Sequence, residues 1–182
     1  MTLASAVPAT AATWAYDDAA GDVTSVTFTD SSEEFTLAPD NTTSDVTRTV
    51  IRHRTHRVTV ANRLRDLTAE SGMVSMLIRT DDSSYWAMYR LGSNRDLPTF
   101  YLERNSGRNV TCRGAERTVD RATDRASISI PRRCLSYPRW VRVSAEVVTF
   151  APGAEESETF LVDSAFSEGI ETPAFSPRIR RG

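Results

Sequence analysis

Apolar residues in this chain recur at every second position, in short runs parted by turn-forming residues, and a chain so patterned folds into strands. Val26 and Phe28, then Phe35 and Leu37, mark two short strands around the turn at Asp30-Ser31-Ser32. Val46, Arg48 and Val50 alternate with Thr47, Thr49 and Ile51, and Val58, Val60 and Leu64 continue after a turn at Arg54-Thr55. Residues 73–78 are apolar on both faces except at Ser75, which predicts a central strand covered on both sides. Residues 85–91 and 99–103 read as a hairpin around Gly92-Ser93-Asn94. Segments 110–112, 126–130, 141–147 and 160–162 bring the expected total to about ten strands. With frequent turn signals and no crossover helix, the expected fold class is all-β, an antiparallel two-sheet sandwich of jelly-roll type with little helix.

Composition supports the same class. Hydroxyl side chains are abundant, with 22 Thr and 19 Ser, and χ1-stiff Thr and Val favour pleated strands. A length of 182 residues suits one domain with its own core. No apolar run is long enough to span a bilayer as a helix, so no transmembrane segment is expected. All 22 basic residues are Arg, which offers planar, bidentate donors instead of point charges. Residues 1–47 hold eight acids and no base, whereas residues 104–142 hold ten Arg against Glu116, Asp120 and Asp124. With a net charge of only −2, these segments are expected to lie close and cancel, and no nucleic-acid partner is expected. Arg113, Arg117, Arg121 and Arg125 recur every fourth residue, in an exposed loop or short hairpin with a surface helix as the alternative.

Residues 1–15 carry no charge and are rich in alanine, with Ala9 and Ala11 or Ala4 and Ala6 spaced as in a cleavage site. They read as a signal-peptide remnant or a disordered N-terminus, followed by a β-sandwich domain over 16–166 and a tail over 167–182. Two cysteines, Cys112 and Cys134, fit a disulfide in an exported, extracellular protein, and the alternative is a pair of buried thiols.

Chemical candidates are few. His53 and His56 have no third ligand nearby and read as turn residues. No Gly-x-Ser-x-Gly, phosphate loop or dinucleotide fingerprint is present, so no catalytic residue is assigned. Asp17, Asp18 and Asp22 cluster around Gly21, and such oxygen-rich loops suit calcium, the alternative being an acidic turn that satisfies its own backbone. Tyr85, Tyr89 and Tyr101 form a candidate ligand platform, with core aromatics as the alternative; alternation sets Tyr85 and Tyr89 on one face and Trp86 with Met88 on the other. Trp140 lies on the polar face by strict alternation, but a bulge at the strand entrance is expected to turn it into the core.

The run Ile128-Ser129-Ile130-Pro131-Arg132-Arg133-Cys134-Leu135-Ser136-Tyr137-Pro138-Arg139-Trp140-Val141-Arg142-Val143 resembles a segment of uncharacterised exported proteins of actinobacteria. The earlier Cys112, the start Asp18-Ala19-Ala20-Gly21-Asp22-Val23, and the acids at Asp45-Val46 and Thr80-Asp81-Asp82 carry the same resemblance, over roughly residues 17–150. The layout is also similar to jelly-roll modules of the DOMON and family 9 carbohydrate-binding groups. These resemblances imply an exported β-sandwich and bring no activity with them. The expected role is therefore non-catalytic: ligand binding or cell-envelope association. A carbohydrate-binding module, glycan-directed and calcium-dependent, is the alternative, and a secreted hydrolase the second alternative.

Overall fold

A computed structural model describes residues 12–29, 31–68, 71–92, 98–150, 159–166 and 173–182. Fourteen strands are seen among them: β1 (Ala12–Asp17), β2 (Thr24–Phe28), β3 (Glu33–Leu37), β4 (Val46–His53), β5 (Arg57–Leu64), β6 (Gly72–Thr80), β7 (Ser84–Arg90), β8 (Phe100–Arg104), β9 (Arg108–Asn109), β10 (Glu116–Asp120), β11 (Arg125–Pro131), β12 (Trp140–Phe150), β13 (Thr159–Ser164) and β14 (Ile179–Arg180). One 3-10 turn, Arg132–Leu135, carries Cys134. The strands form a five-stranded sheet, in the order β1-β4-β5-β11-β10, and a nine-stranded sheet, β3-β2-β13-β12-β6-β7-β8-β9 with β14 added beside β12. Every pairing is antiparallel, and the fold is the expected all-β two-sheet sandwich.

Alternation and register together build the core. Val141, Val143, Ala145 and Val147 of β12 lie opposite Thr80, Ile78, Met76 and Val74 of β6, which puts one apolar face of the large sheet inward. Ile51 of β4, Val58 and Val60 of β5, and Ile128 and Ile130 of β11 supply the facing layer, and all are fully buried. Each such side chain removed from water contributes about 1.5–3 kcal/mol. Where β6 meets β12, a Cβ on Gly72 would stand 2.7 Å from the Val148 carbonyl oxygen, so only glycine lets the backbones approach this closely.

Several expectations are corrected. The sandwich begins before residue 16, since β1 pairs with β4 from Ala12↔His53 to Asp17↔Arg48; residues 1–11 of the expected leader lie outside the described residues. The segment after 166 is not a detached tail: Ile179 and Ser176 are buried and β14 pairs with β12, although 167–172 lie outside the described residues. Strand β6 is fully covered on one side only: on its outward face Leu77 and Arg79 are exposed, while Met73 packs against Val26, Val148 and Val162. Residues 110–112 form no strand, and the 113–125 segment is a hairpin of β10 and β11. Residues 93–97, around which the β7–β8 hairpin was expected to turn, lie outside the described residues. Ion pairs among the described residues join Asp17 to Arg48, Asp45 to Arg65, Asp82 to Arg104, Glu116 to Arg57 and Asp81 to Arg139, none of which links 1–47 with 104–142.

The disulfide is formed. Cys112 and Cys134 are bonded, with Cα atoms 5.5 Å apart, and the bond clips the loop before β10 to the 3-10 turn after β11.

Candidate metal centre

Strand β1 ends at Asp17, and alternation sends the next side chain to the opposite side of the sheet. Asp17 therefore points outward, where it is exposed and ion-paired with Arg48, and it does not join the other acids. Asp18 is half-buried, held in line by its N–H, which donates to the Thr47 carbonyl at 3.1 Å. Gly21 has φ +85, a left-handed turn that glycine adopts without strain, and this turn aims its N–H at Asp45 Oδ2, 2.9 Å away. Asp22 follows, half-buried.

Two further acids complete the group. Asp45, directly before β4, is fully buried; its Oδ2 also accepts from Arg65 Nη1 at 3.1 Å. Asp163 comes from β13, in the other sheet. It lies opposite core residue Val147, so its carboxylate points between the sheets, where Oδ2 accepts from the Val46 N–H at 2.5 Å. Asp22, Asp45 and Asp163 each offer one oxygen, and these oxygens all lie within 4.8 Å of one another. Oxygens bound to one calcium ion at about 2.4 Å can be no further than about 4.8 Å apart, so the spacing fits a shared ion.

The electrostatics of the group are unfavourable without a cation. Burial raises the Asp163 carboxyl to about 8, and repulsion from Asp22, Asp18 and Asp45 adds to it, against the Val46 hydrogen bond. Burial, followed by repulsion from Asp22, raises Asp18 to about 7. Asp18 Oδ2, Asp45 Oδ1 and Asp163 Oδ1 are buried without a hydrogen-bond partner. Such oxygens cost free energy unless a proton or cation reaches them. Hard oxygen donors with no nitrogen or sulfur ligand suit calcium better than a transition metal.

Asp45 and Asp163 were missing from the sequence-derived set, and Asp163 left a signal. It is an acid inside the apolar run Phe160-Leu161-Val162-Asp163-Ser164-Ala165, where a buried charge needs a partner.

The remaining candidates separate. Tyr85 and Tyr89 are 2% and 0% exposed, inside the core, so they cannot serve as a ligand platform. Alternation had paired them correctly but could not say which face was inward. Tyr101, opposite Met88 on the outward face, is half-buried and meets the exposed Trp86 edge-on, with ring centroids 5.3 Å apart at 64°. His53 and His56 do not converge: His53 is buried with Nδ1 3.0 Å from the Ile179 carbonyl oxygen, and His56 is exposed. Burial, more than any neighbour, lowers the pKa of His53. Trp140 is only half-buried, with the Arg178 guanidinium 4.5 Å from its ring centre. No bulge turns it inward, because its pairing with Arg180 runs in step with Val141↔Ile179.

Among the described residues, no helix is long and apolar enough to cross a membrane. No family model matches this chain, nor does any curated protein or solved structure.

Proposed function

We propose that this chain is an exported, non-catalytic β-sandwich binding module whose Asp22, Asp45 and Asp163 hold one calcium ion, with Asp18 beside them. The observation that carries the reading is the meeting of buried carboxylate oxygens from both sheets within 4.8 Å. An ion there would replace mutual repulsion with coordination and tie the β1–β2 connection to β4 and β13. Export is supported by the Cys112–Cys134 disulfide, which persists in oxidising compartments. The resemblance of residues 17–150 to exported β-sandwich proteins agrees with this reading. Melting of chelator-treated protein tests it: millimolar calcium should raise Tm, by an amount equivalent to about 2.7 kcal/mol at a hundredfold excess over Kd. Magnesium should substitute poorly, since it demands a small octahedral shell. An unchanged Tm with calcium would overturn the proposal.

A glycan-directed role is the second reading, favoured by Trp86, which is 39% exposed on the outward face of β7. Its ring meets that of Tyr101 with centroids 5.3 Å apart at 64°, an aromatic pair of the kind that stacks on sugar rings. Retardation of the protein in gels containing neutral glycans, and its loss in Trp86→Ala, would support this role.

A further inference from the structure

Strand pairing sets three arginines side by side on the outward face of the five-stranded sheet. Arg48 of β4 lies opposite Arg63 of β5, and Arg63 lies opposite Arg125 of β11. In the strand register acids flank the row at its ends, Asp17 beside Arg48 and Asp120 beside Arg125, and Asp124, which accepts from the Leu67 N–H at 3.0 Å, also lines the larger hollow. Asp17 pairs with Arg48. Asp120 turns to its own loop, accepting from the Ala122 N–H at 3.0 Å and the Thr123 hydroxyl at 2.8 Å. The guanidiniums of Arg52, Arg63 and Arg125 enter none of the ion pairs formed among the described residues. Like charges directly opposite one another destabilise a sheet, so the row is unfavourable unless an anion lies across it.

The next row provides a floor. Ala15 faces Val50, Val50 faces Ala61, and Ala61 faces Ser127, all short side chains below the arginines. Arg52 stands on the far side, between Thr13 and Thr59. Two open hollows, about 360 Å³ and about 770 Å³, meet at Arg63 and Arg125, which line both.

We propose that this trough binds an acidic polysaccharide through its carboxylates. A guanidinium fork matches a carboxylate with two parallel hydrogen bonds, and successive forks recur at the strand spacing of about 4.8 Å. Hydroxyls of Thr13, Thr118 and Ser127 line the same hollows and suit sugar hydroxyls as donors or acceptors. No aromatic side chain lines either hollow, so the bases of a single-stranded nucleic acid would find nothing to stack on. The inference rests on the reading of the chain as a binding module but not on the calcium ion, which lies on the inward side.

The test uses the whole chain in chelator with polygalacturonate as the probe, in titrations at low and moderate salt, so that no calcium bridges the polymer carboxylates. Binding is expected, with loss when the polymer is fully methyl-esterified. The double variant Arg63→Ser, Arg125→Ser should weaken binding about tenfold or more while melting no lower than the parent, because it removes two unpaired like charges. Binding unchanged by esterification or by the double variant would overturn the proposal. So would absence of binding, or tighter binding of dextran sulfate or single-stranded DNA at the same salt. If polygalacturonate fails while calcium still raises Tm, the trough is wrong and the calcium site stands.

Discussion

The Val46 N–H donates to Asp163 Oδ2 at 2.5 Å, and this contact joins β4 of the small sheet to β13 of the large one. It also fixes the carboxylate that closes the acidic group. One oxygen of Asp163 is therefore structural, the other is buried without a hydrogen-bond partner, and the carboxylate offers an oxygen within 4.8 Å of those of Asp22 and Asp45.

Replacing that carboxylate by its amide separates the two roles. Asp163→Asn keeps an acceptor for Val46 but removes a buried charge. In chelator it should melt at or above the parent, and it should lose most of the calcium-induced rise in Tm. Asp163→Ala would instead leave the Val46 N–H unsatisfied and cost about 1–3 kcal/mol in urea titration.

The acidic group should also impose a pH dependence of unusual sign. Folded, Asp163 and Asp18 keep their protons to about pH 8 and about pH 7; unfolded, they release them near 3.8. The folded state binds more protons across that window, so chelated protein should lose stability as pH rises from about 4 to about 8. His53 acts oppositely: its lowered pKa costs stability as pH falls below 6.5. Comparing Tm with and without calcium at each pH cancels the histidine contribution. The calcium-induced rise should grow with pH, and a flat difference would count against the shared ion.

Loss of the disulfide should be felt through the unfolded chain. Cys112 and Cys134 are 22 positions apart, and closing a loop of that length contributes about 3 kcal/mol in the chain-entropy model. The Cys112→Ala, Cys134→Ala double variant should melt about 6–12 °C lower by calorimetry.

Gly72 is a steric requirement. A Cβ there would stand 2.7 Å from the Val148 carbonyl oxygen and 3.1 Å from Thr149 Cγ2. Gly72→Ala should cost about 1–3 kcal/mol, read as a lower urea midpoint with unchanged slope.

Trp140 and Tyr89 should respond differently to truncation. Trp140→Ala removes a half-buried ring and its contact with Arg178, at a cost of about 1–2 kcal/mol. Tyr89 is 0% exposed, and Tyr89→Ala should cost about 3–5 kcal/mol.

The period-2 pattern determined the all-β class by itself, because alternation is a local property of backbone geometry. The apolar face of β12 was legible for the same reason, whereas the fourfold spacing at 113–125 left loop, hairpin and helix open, and the cysteine pair was read from its even count. Alternation fixes a period, however, and leaves the choice of inward face to packing against the other sheet. Tyr85 and Tyr89 went inward and Trp86 outward on that choice. Register is likewise set by partners distant in the chain. Asp163 lies 117 positions from Val46, and only sheet packing brings it to Asp22 and Asp45. Arg48, Arg63 and Arg125 become neighbours only once β4, β5 and β11 pair in step. Local alternation decided the strand-rich class, and non-local pairing decided which segments join the sheets and which of their charges meet.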